Sequence, residues 1–303
     1  MFDKKILFLI NIINHLLVCF SAQGQESYSI YFFIKFTLYI KRKNNNSGSM
    51  IFNDFNVRIS PKASIGKNVR IGDNTVIYDN VVIEDEVTIA NNCIIGEPLN
   101  SYYSDPEYNN PSTTIGKGSL IRSHAIIYAG NRLGEYVSTG HRVTLRENNT
   151  VGHHTVIGTL SDLQGNLTIG HYCRLYSNVH ISALSVLGNF VALYPYVVMT
   201  NDPYPPSDDL KGAVIGDYTQ VAAHSTILAG VKIGQNCLIG ALSVVSKNVP
   251  DYSLVMGEPA ELKMDVRKYV VLGKGHLYPW MTRFSRGMPW EKTGFETWQK
   301  NQK

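Results

Sequence analysis

This sequence of 303 residues has a low net charge and few cysteines. The formal net charge at pH 7 is +4, which gives no reason to expect a nucleic-acid partner, although a mildly basic surface suits a phosphate-bearing ligand. Three of the four cysteines, Cys93, Cys173 and Cys237, fall at the same small position of a repeat. We interpret them as packing residues rather than disulfide partners, metal ligands or nucleophiles, a usage compatible with a reducing cytoplasm.

The longest apolar runs lie in residues 1–49, which do not belong to the repeat. Lysines precede the apolar stretch from Ile6 to Phe20 and small residues follow it, which is typical of a signal peptide. A second apolar stretch, Tyr28 to Ile40, is too short for a membrane span. Two interpretations stay open: a leader that brings membrane contact, or a mis-called start in which Met50 is the true first residue.

An aliphatic residue at every sixth position organises the chain from Val57 to Pro250, and Thr139 is the one polar member of the series. A small or β-branched residue stands two positions before most members. Period six is neither helical nor simply alternating, so one hexad reads as a short strand plus a corner, and three hexads close a triangular coil of a parallel β-helix. The series is Ile59, Ile65, Ile71, Ile77, Ile83, Ile89 and Ile95; then Ile115, Ile121, Ile127, Leu133, Thr139, Leu145, Val151, Ile157, Leu163, Ile169, Leu175, Ile181, Leu187, Leu193 and Met199; then Ile215, Val221, Ile227, Ile233, Ile239 and Val245.

The repeat is interrupted twice. Ile95 and Ile115 are 20 residues apart instead of six, so about fourteen residues leave the coil as loop 1, roughly Glu97 to Asn110. Met199 and Ile215 are 16 apart, so about ten residues around Asn201 leave as loop 2. Because three hexads make one coil, counting hexads places both loops at the same corner of the coil. The two loops are five coils apart, which is roughly 24 Å along the axis. Loops on a rigid scaffold commonly carry function, and we predict that at least loop 2 does.

Through these hexads and the closing turn Gly257–Ala260, about two thirds of the chain resembles the left-handed β-helix hexapeptide-repeat acyltransferases. The resemblance implies an all-β fold, a left-handed parallel β-helix with two extruded loops, and a homotrimer. We expect a leader at 1–49, the acyltransferase domain at 50–256 and a C-terminal cap at 257–303. In this tail, which is short and partly helical or irregular, Glu261 to Leu272 is expected to form a helix. An open β-helix end exposes strand edges, so capping is its default role.

His141 is the first candidate for a general base. It follows Gly140, faces outward, and is flanked by Ser123 one coil before and Thr159 one coil after. This stretch resembles the Gly-His motif of bacterial sugar-nucleotide N-acyltransferases, which implies a base role for His141. An imidazole suits that role because it can accept a proton from an attacking amine near neutral pH. The alternative is a solvated surface histidine.

His180 is the second candidate base. Asp162 stands one coil earlier on the same column, where a carboxylate could orient the imidazole. His124 and Arg142 are also stacked, with Asn178 two coils beyond Arg142. This polar column could bind sugar-nucleotide phosphates, although a plain solvated face explains it equally well.

Loop 2 departs from a second group within the resemblance. Thr200-Asn201-Asp202-Pro203 resembles the segment in which acetyltransferases of galactosides and maltose carry a catalytic histidine, and here asparagine stands at that position. The departure excludes that mechanism at this site and favours an amine acceptor. Asn201 and Asp202 would then hold the substrate or orient the base.

The resemblance also implies acetyl-CoA as co-substrate, bound in a groove by backbone groups of the late coils and a basic residue near the end. The matching positions are Ala223, Gly230, Ala241, Ser243 and Lys247, with Lys263 and Arg267 as further candidates for the phosphates. Simple corner packing is the alternative for each. Zinc requires three or four convergent ligands, and only His153 and His171 stack one coil apart, so no metal site is expected.

The residues together with the resemblance imply a cytoplasmic, trimeric N-acyltransferase that transfers an acetyl group from acetyl-CoA to an amino-sugar nucleotide used in surface polysaccharide synthesis. Two alternatives stay open. One is O-acetylation of a sugar or other small acceptor, and the other is a non-catalytic β-helix scaffold. The sugar, the nucleotide and the acyl chain do not follow from the sequence.

Overall fold

Hexads form the predicted coils in the computed structural model, which describes residues 54–302. The proposed leader, residues 1–49, lies outside the described residues. The coils stack into a solenoid whose three flat sides, faces A, B and C, are parallel sheets in which each strand pairs with strands of the coils before and after it. This arrangement confirms the parallel β-helix predicted from the period.

The bounds of the strands follow the hexads. Face A consists of Arg58–Ile59, Val76–Ile77, Ile94–Glu97, Ile126–Tyr128, Thr144–Leu145, Asp162–Leu163, His180–Ile181, Val198–Met199, Thr226–Ile227 and Val244–Val245. Face B consists of Ser64–Ile65, Val81–Ile83, Thr113–Ile115, Arg132–Leu133, Thr150–Val151, Thr168–Ile169, Val186–Leu187, Val214–Ile215 and Lys232–Ile233. Face C consists of Arg70–Ile71, Thr88–Ile89, Leu120–Ile121, Ser138–Thr139, Val156–Ile157, Arg174–Leu175, Ala192–Leu193, Gln220–Val221, Leu238–Ile239, Ser253–Met256 and Glu261–Asp265.

The core is a stack of the repeat aliphatics, because the second residue of each short strand points inward. Ile127 pairs with Leu145, and Leu145 with Leu163, and all three side chains are fully buried. Cys93, Cys173 and Cys237 are buried free thiols that pack against this stack, which confirms their interpretation as packing residues. Burial raises the pKa of the Cys93 thiol to about 11 and that of Cys173 to about 12. Neither thiol is a thiolate near neutral pH.

Thr139 interrupts the aliphatic stack with a polar group that is nevertheless satisfied. Its side chain is buried, and its Oγ1 accepts a hydrogen bond from the Arg122 backbone N–H at 3.0 Å. The ladder is irregular here, since only Ser138 and Leu120 are in register between these two coils. The irregularity lies directly before the Gly140-His141 stretch.

The two loops leave the coil at the same corner, as predicted. Loop 1 connects Ile94–Glu97 on face A to Thr113–Ile115 on face B and contains the 3-10 helix Asn100–Tyr103. Loop 2 connects Val198–Met199 to Val214–Ile215, also from face A to face B. In the order of face A the two exit strands are separated by five coils, which confirms the count made from the sequence.

The tail corrects one expectation: Glu261 to Leu272 does not form a helix. Glu261–Asp265 is a strand that pairs antiparallel with Ser253–Met256, because the last strand of face C offers an unpaired edge that a neighbouring strand can satisfy. This pairing supports the predicted capping role. Further along lie the 3-10 helices Val266–Lys268 and Trp280–Thr282, the hairpin Val270–Val271 with Gly275–His276, and the α-helix Phe295–Lys300.

The rest of the tail folds back onto the corner between faces B and C. Trp290 is fully buried, and its ring centroid lies 5.2 Å from that of Phe190 on this corner. Phe190 is part of a ladder of stacked rings that continues to Tyr172 and Tyr218 at 5.4 and 4.8 Å. Among residues 54–302, no helix combines the length and apolarity needed to cross a membrane.

Candidate functional site

His141 occupies the corner between faces C and A, where the sequence places it. Its Nδ1 lies 2.7 Å from the Ser123 hydroxyl, and its backbone N–H donates to the Thr159 hydroxyl at 3.2 Å. Nε2 makes no hydrogen bond to any residue within the described range and the side chain is exposed. If Nδ1 carries the hydrogen and donates it to Ser123, Nε2 presents a free lone pair to solvent. The two predicted flanking residues are thus confirmed as contacts.

Gly140 is required before this histidine. A Cβ built there would lie 2.3 Å from the Thr159 backbone nitrogen of the next coil. Such a distance would push the two coils apart, so only glycine lets the corner approach its neighbour closely enough for the His141–Thr159 hydrogen bond.

The predicted polar column lies at the same corner. His124, Arg142 and Asn178 all adopt left-handed backbone conformations, with φ of 64°, 54° and 60°. Arg142 and Asn178 are separated by Leu160, whose side chain is 50% exposed and interrupts the polar surface. The structure therefore brings His124 and Arg142 to adjacent coils, but it does not join Asn178 to them.

His180 lies on face A and contacts its predicted partner. Its Nδ1 is 3.0 Å from Asp162 Oδ2, and its Nε2 is 3.3 Å from the Ser182 hydroxyl. A carboxylate at this distance fixes the orientation of the imidazole ring. Both side chains of the pair are partly exposed, at 34% and 48%, so a substrate can reach them.

Ser182 is a site residue that we did not predict from the sequence. It follows His180 by two positions, directly after the strand His180–Ile181, and this spacing was the signal that could have identified it. The order carboxylate, imidazole, hydroxyl matches that of serine hydrolases. Ser182 is only 6% exposed, however, so it is poorly placed as a nucleophile and is better suited to holding the imidazole.

Loop 2 begins beside His180 rather than beside His141. His180 is in register with Val198, and the Ser182 backbone N–H donates to the Met199 carbonyl at 3.1 Å, two residues before Asn201. The strand that follows His141 begins at Thr144, three coils before Val198, or roughly 14 Å along the axis. The structure therefore brings the loop close to His180 and leaves His141 apart.

Asp202 organises loop 2 internally. Its carboxylate accepts hydrogen bonds from the backbone N–H groups of Tyr204 and Ser207 at 3.0 and 2.8 Å, and from the Ser207 hydroxyl at 2.6 Å. The Ser207 hydroxyl bond is the main reason why the pKa of Asp202 is lowered. These contacts occupy both carboxylate oxygens, so Asp202 shapes the loop, and Asn201 is the better placed of the two to contact a ligand.

The five predicted cofactor residues do not form one patch. Ala223 and Ala241 are in adjacent coils at the corner between faces C and A, on the column of His141. Gly230 and Lys247 lie at the other edge of face A, where the Gly230 N–H donates to the Lys211 carbonyl of loop 2 at 2.9 Å. Ser243 is fully buried and hydrogen-bonds to the Gly240 carbonyl and the Gly257 N–H. A contact through the Ser243 side chain is therefore excluded.

The two further phosphate candidates are already paired. Lys263 contacts Glu261 at 3.0 Å. Arg267 forms a bidentate pair with Asp265 and lies over the Tyr252 ring at 4.3 Å. In both, an acidic partner already neutralises much of the positive charge that would attract an anion.

The stacked histidines lie at the corner between faces B and C, away from face A. The His153 and His171 rings are 4.0 Å apart, and His153 Nδ1 is 3.0 Å from His154 Nδ1. Burial is the main cause that lowers the pKa of His153 and of His154. Within residues 54–302, no group of three or more histidine, cysteine or acidic side chains has the arrangement of a metal site.

Two segments of the chain match a known family model. The family model for the bacterial transferase hexapeptide (six repeats) matches residues 56–97 and 212–247, and the coils between these segments continue the same repeat. Over these two segments the chain is similar to bacterial transferases of the hexapeptide type.

Curated relatives of the chain are acetyltransferases. It is 30% identical over 103 residues to galactoside O-acetyltransferase from Lactococcus lactis, covering 30% of this chain and 50% of that protein. It is 47% identical over 53 residues to dTDP-3-amino-3,6-dideoxy-alpha-D-galactopyranose 3-N-acetyltransferase from Aneurinibacillus thermoaerophilus, covering 18% and 24%. The chain thus spans half or less of these relatives. Among solved structures, UDP-N-acetylglucosamine acyltransferase from Campylobacter jejuni matches with a TM-score of 0.47 at 19% identity, covering 68% and 72%.

Proposed function

We propose that this protein is an acyl-CoA-dependent N-acyltransferase that acetylates the amine of a sugar nucleotide. The observation that carries the proposal is the contact of His180 with Asp162 beside loop 2 on a hexapeptide-repeat coil. The match to an amino-sugar 3-N-acetyltransferase supports the choice of acceptor. We further propose that the protein acts as a homotrimer in the cytoplasm, where acyl-CoA is available.

In the proposed reaction the acceptor amine attacks the thioester carbonyl carbon of acetyl-CoA. A nitrogen–carbon bond forms, the carbon–sulfur bond breaks, and the coenzyme A thiolate leaves. His180 Nε2 takes the proton that the amine loses and passes it to the thiolate, while Asp162 stabilises the imidazolium in between. Nε2 is shared with Ser182 at 3.3 Å, a long contact that an incoming amine can replace.

Two arguments favour His180 over His141, the base predicted first. Its orienting partner is a carboxylate, whereas His141 has the neutral Ser123 hydroxyl. It also lies in the coil next to the start of loop 2. His141 has the more open Nε2 and stays the second candidate, with Ser123 as its positioning residue.

Release of coenzyme A thiol from acetyl-CoA tests the proposal on the full chain with a panel of amino-sugar nucleotides. We expect His180→Ala to lower kcat/KM by about 10²–10⁴-fold, the usual contribution of a general base, and Asp162→Asn to lower it less. His276→Ala in the exposed tail hairpin is the matched control and should leave turnover unchanged. If His141→Ala abolishes turnover while His180→Ala does not, the base is His141.

O-acetylation is the second candidate, favoured by the similarity to a galactoside O-acetyltransferase. The same assay with galactosides and deaminated sugar nucleotides separates the two, since only an O-acetyltransferase would turn these acceptors over. No turnover with any acceptor, together with no binding of coenzyme A, would leave the non-catalytic scaffold.

A further inference from the structure

A pocket of about 450 Å³ lies between face C and the tail, outside all the predicted site residues. Strands of the later coils form its floor, and the segment from Leu277 to Met288 forms its roof. The volume falls within the range of about 300–1,000 Å³ typical of small-molecule sites. It exists only because the tail folds back over the coils.

Eight of the residues that line this tail pocket are aromatic. Tyr176 and Tyr194 stack at 4.8 Å with nearly parallel planes, and Trp280 and Phe284 close it from the tail side. Tyr176 is 39% exposed and Phe284 38%. Exposed ring faces beside a cavity favour a flat, apolar-faced ligand such as a heterocyclic base.

The charged groups that line the tail pocket are both arginines, Arg174 and Arg283, and no acidic residue lines it. Arg174 donates to the Arg286 carbonyl at 2.6 Å and lies over the Phe284 ring at 5.4 Å. Its Nε is buried and has no acceptor among the described residues. A buried N–H without an acceptor costs free energy, and an anionic oxygen in the pocket would satisfy it.

From these walls and charges we infer that the tail pocket binds a nucleoside diphosphate, with the base against the tyrosines and the phosphates against the arginines. This inference rests on the proposed function, because it places the ligand within reach of the candidate base. Tyr176 is one residue before the corner that leads to His180, so a ligand could extend from the pocket around this corner to the candidate base. Four residues of extended chain span roughly 13 Å.

Both substrates of the proposed reaction carry this chemistry, because coenzyme A ends in a phosphorylated nucleoside diphosphate. Tryptophan fluorescence of the full chain distinguishes the two sources, since Trp280 lines the pocket. One arm titrates UDP, dTDP and GDP, and the other titrates coenzyme A and 3′-phosphoadenosine 5′-diphosphate. We expect saturable binding in one arm, which then identifies the source, and much weaker binding of inorganic pyrophosphate.

Arg283→Gln and Tyr176→Ala test the pocket itself. Both side chains are exposed, so the variants should fold, which thermal melts can check. We expect each to weaken nucleotide binding by about tenfold or more, through loss of a charge-assisted contact or of stacking. Arg132→Gln, an exposed arginine on face B, is the matched control and should bind like wild type.

No saturable binding in either arm, or equal affinities in both variants and the control, would overturn the inference. Thiol release measured in parallel keeps the two proposals distinguishable. Turnover with no effect of the pocket variants refutes the pocket alone, and nucleotide binding without turnover refutes the proposed function alone.

Discussion

Replacement of Trp290 by alanine should detach the tail from the coils. The side chain is fully buried, and its Nε1 donates to the Phe284 carbonyl at 2.9 Å. Complete burial of a tryptophan covers roughly 150–250 Å². At about 25 cal/mol per Å² this corresponds to about 4–6 kcal/mol, close to the loss of about 3–5 kcal/mol usual for such truncations. The hexad core does not include Trp290. We therefore expect the packing of the tail to lose this much free energy while the coils keep their stability.

Limited proteolysis with mass spectrometry measures this directly. The variant should be cleaved within 270–302 while the coils stay resistant, and the near-ultraviolet circular dichroism of the buried tryptophans should fall. Trp298→Ala is the control, because its side chain is only partly buried and should cost less. A Trp290→Ala protein whose tail resists protease as well as wild type would refute the reasoning, as would unfolding of the whole chain in one step.

Two further predictions concern the corner between faces B and C. A Cβ on Gly152 would lie 2.5 Å from the Gly170 carbonyl carbon of the next coil. Gly152→Ala should therefore lower the free energy of unfolding by about 1–3 kcal/mol, as overpacking does. An unchanged melting temperature would contradict this. Stability should also fall as the pH drops below about 6.5, because burial lowers the pKa of His153 and His154, so the unfolded chain takes up protons first. The His154 ring stacks on Tyr172 at 4.7 Å. His154→Phe, which keeps a ring at this position, should flatten this loss in thermal melts between about pH 8 and 5, and an identical pH profile would argue against it.

The coils could be predicted because their physics is local and periodic. Each hexad positions one aliphatic such as Ile127 inward, so spacing alone gives strand, face and register, and the interruptions give the loops. The contacts of His141 with Ser123 and Thr159 followed from the same arithmetic, since residues one coil apart are neighbours. The same holds for His180 and Asp162.

The tail could not be predicted because it has no repeat and its partners are distant in sequence. Glu261–Asp265 alternates polar and apolar residues, but nearly all of them are exposed in the structure, and the edge of face C with which the segment pairs does not follow from the segment itself. The tail pocket depends on contacts such as Trp280 with Tyr218, 62 residues apart.

One coil takes 18 residues and one side takes six, so chain length in this protein is equivalent to rotation. Removing 18 residues between the loops would bring them one step closer on the same edge. Removing six would turn everything downstream by about a third of a revolution and carry loop 2 to a different edge. Insertions or deletions of whole coils are thus tolerated, and a relative with one coil more or fewer can keep the same surface aligned along the β-helix.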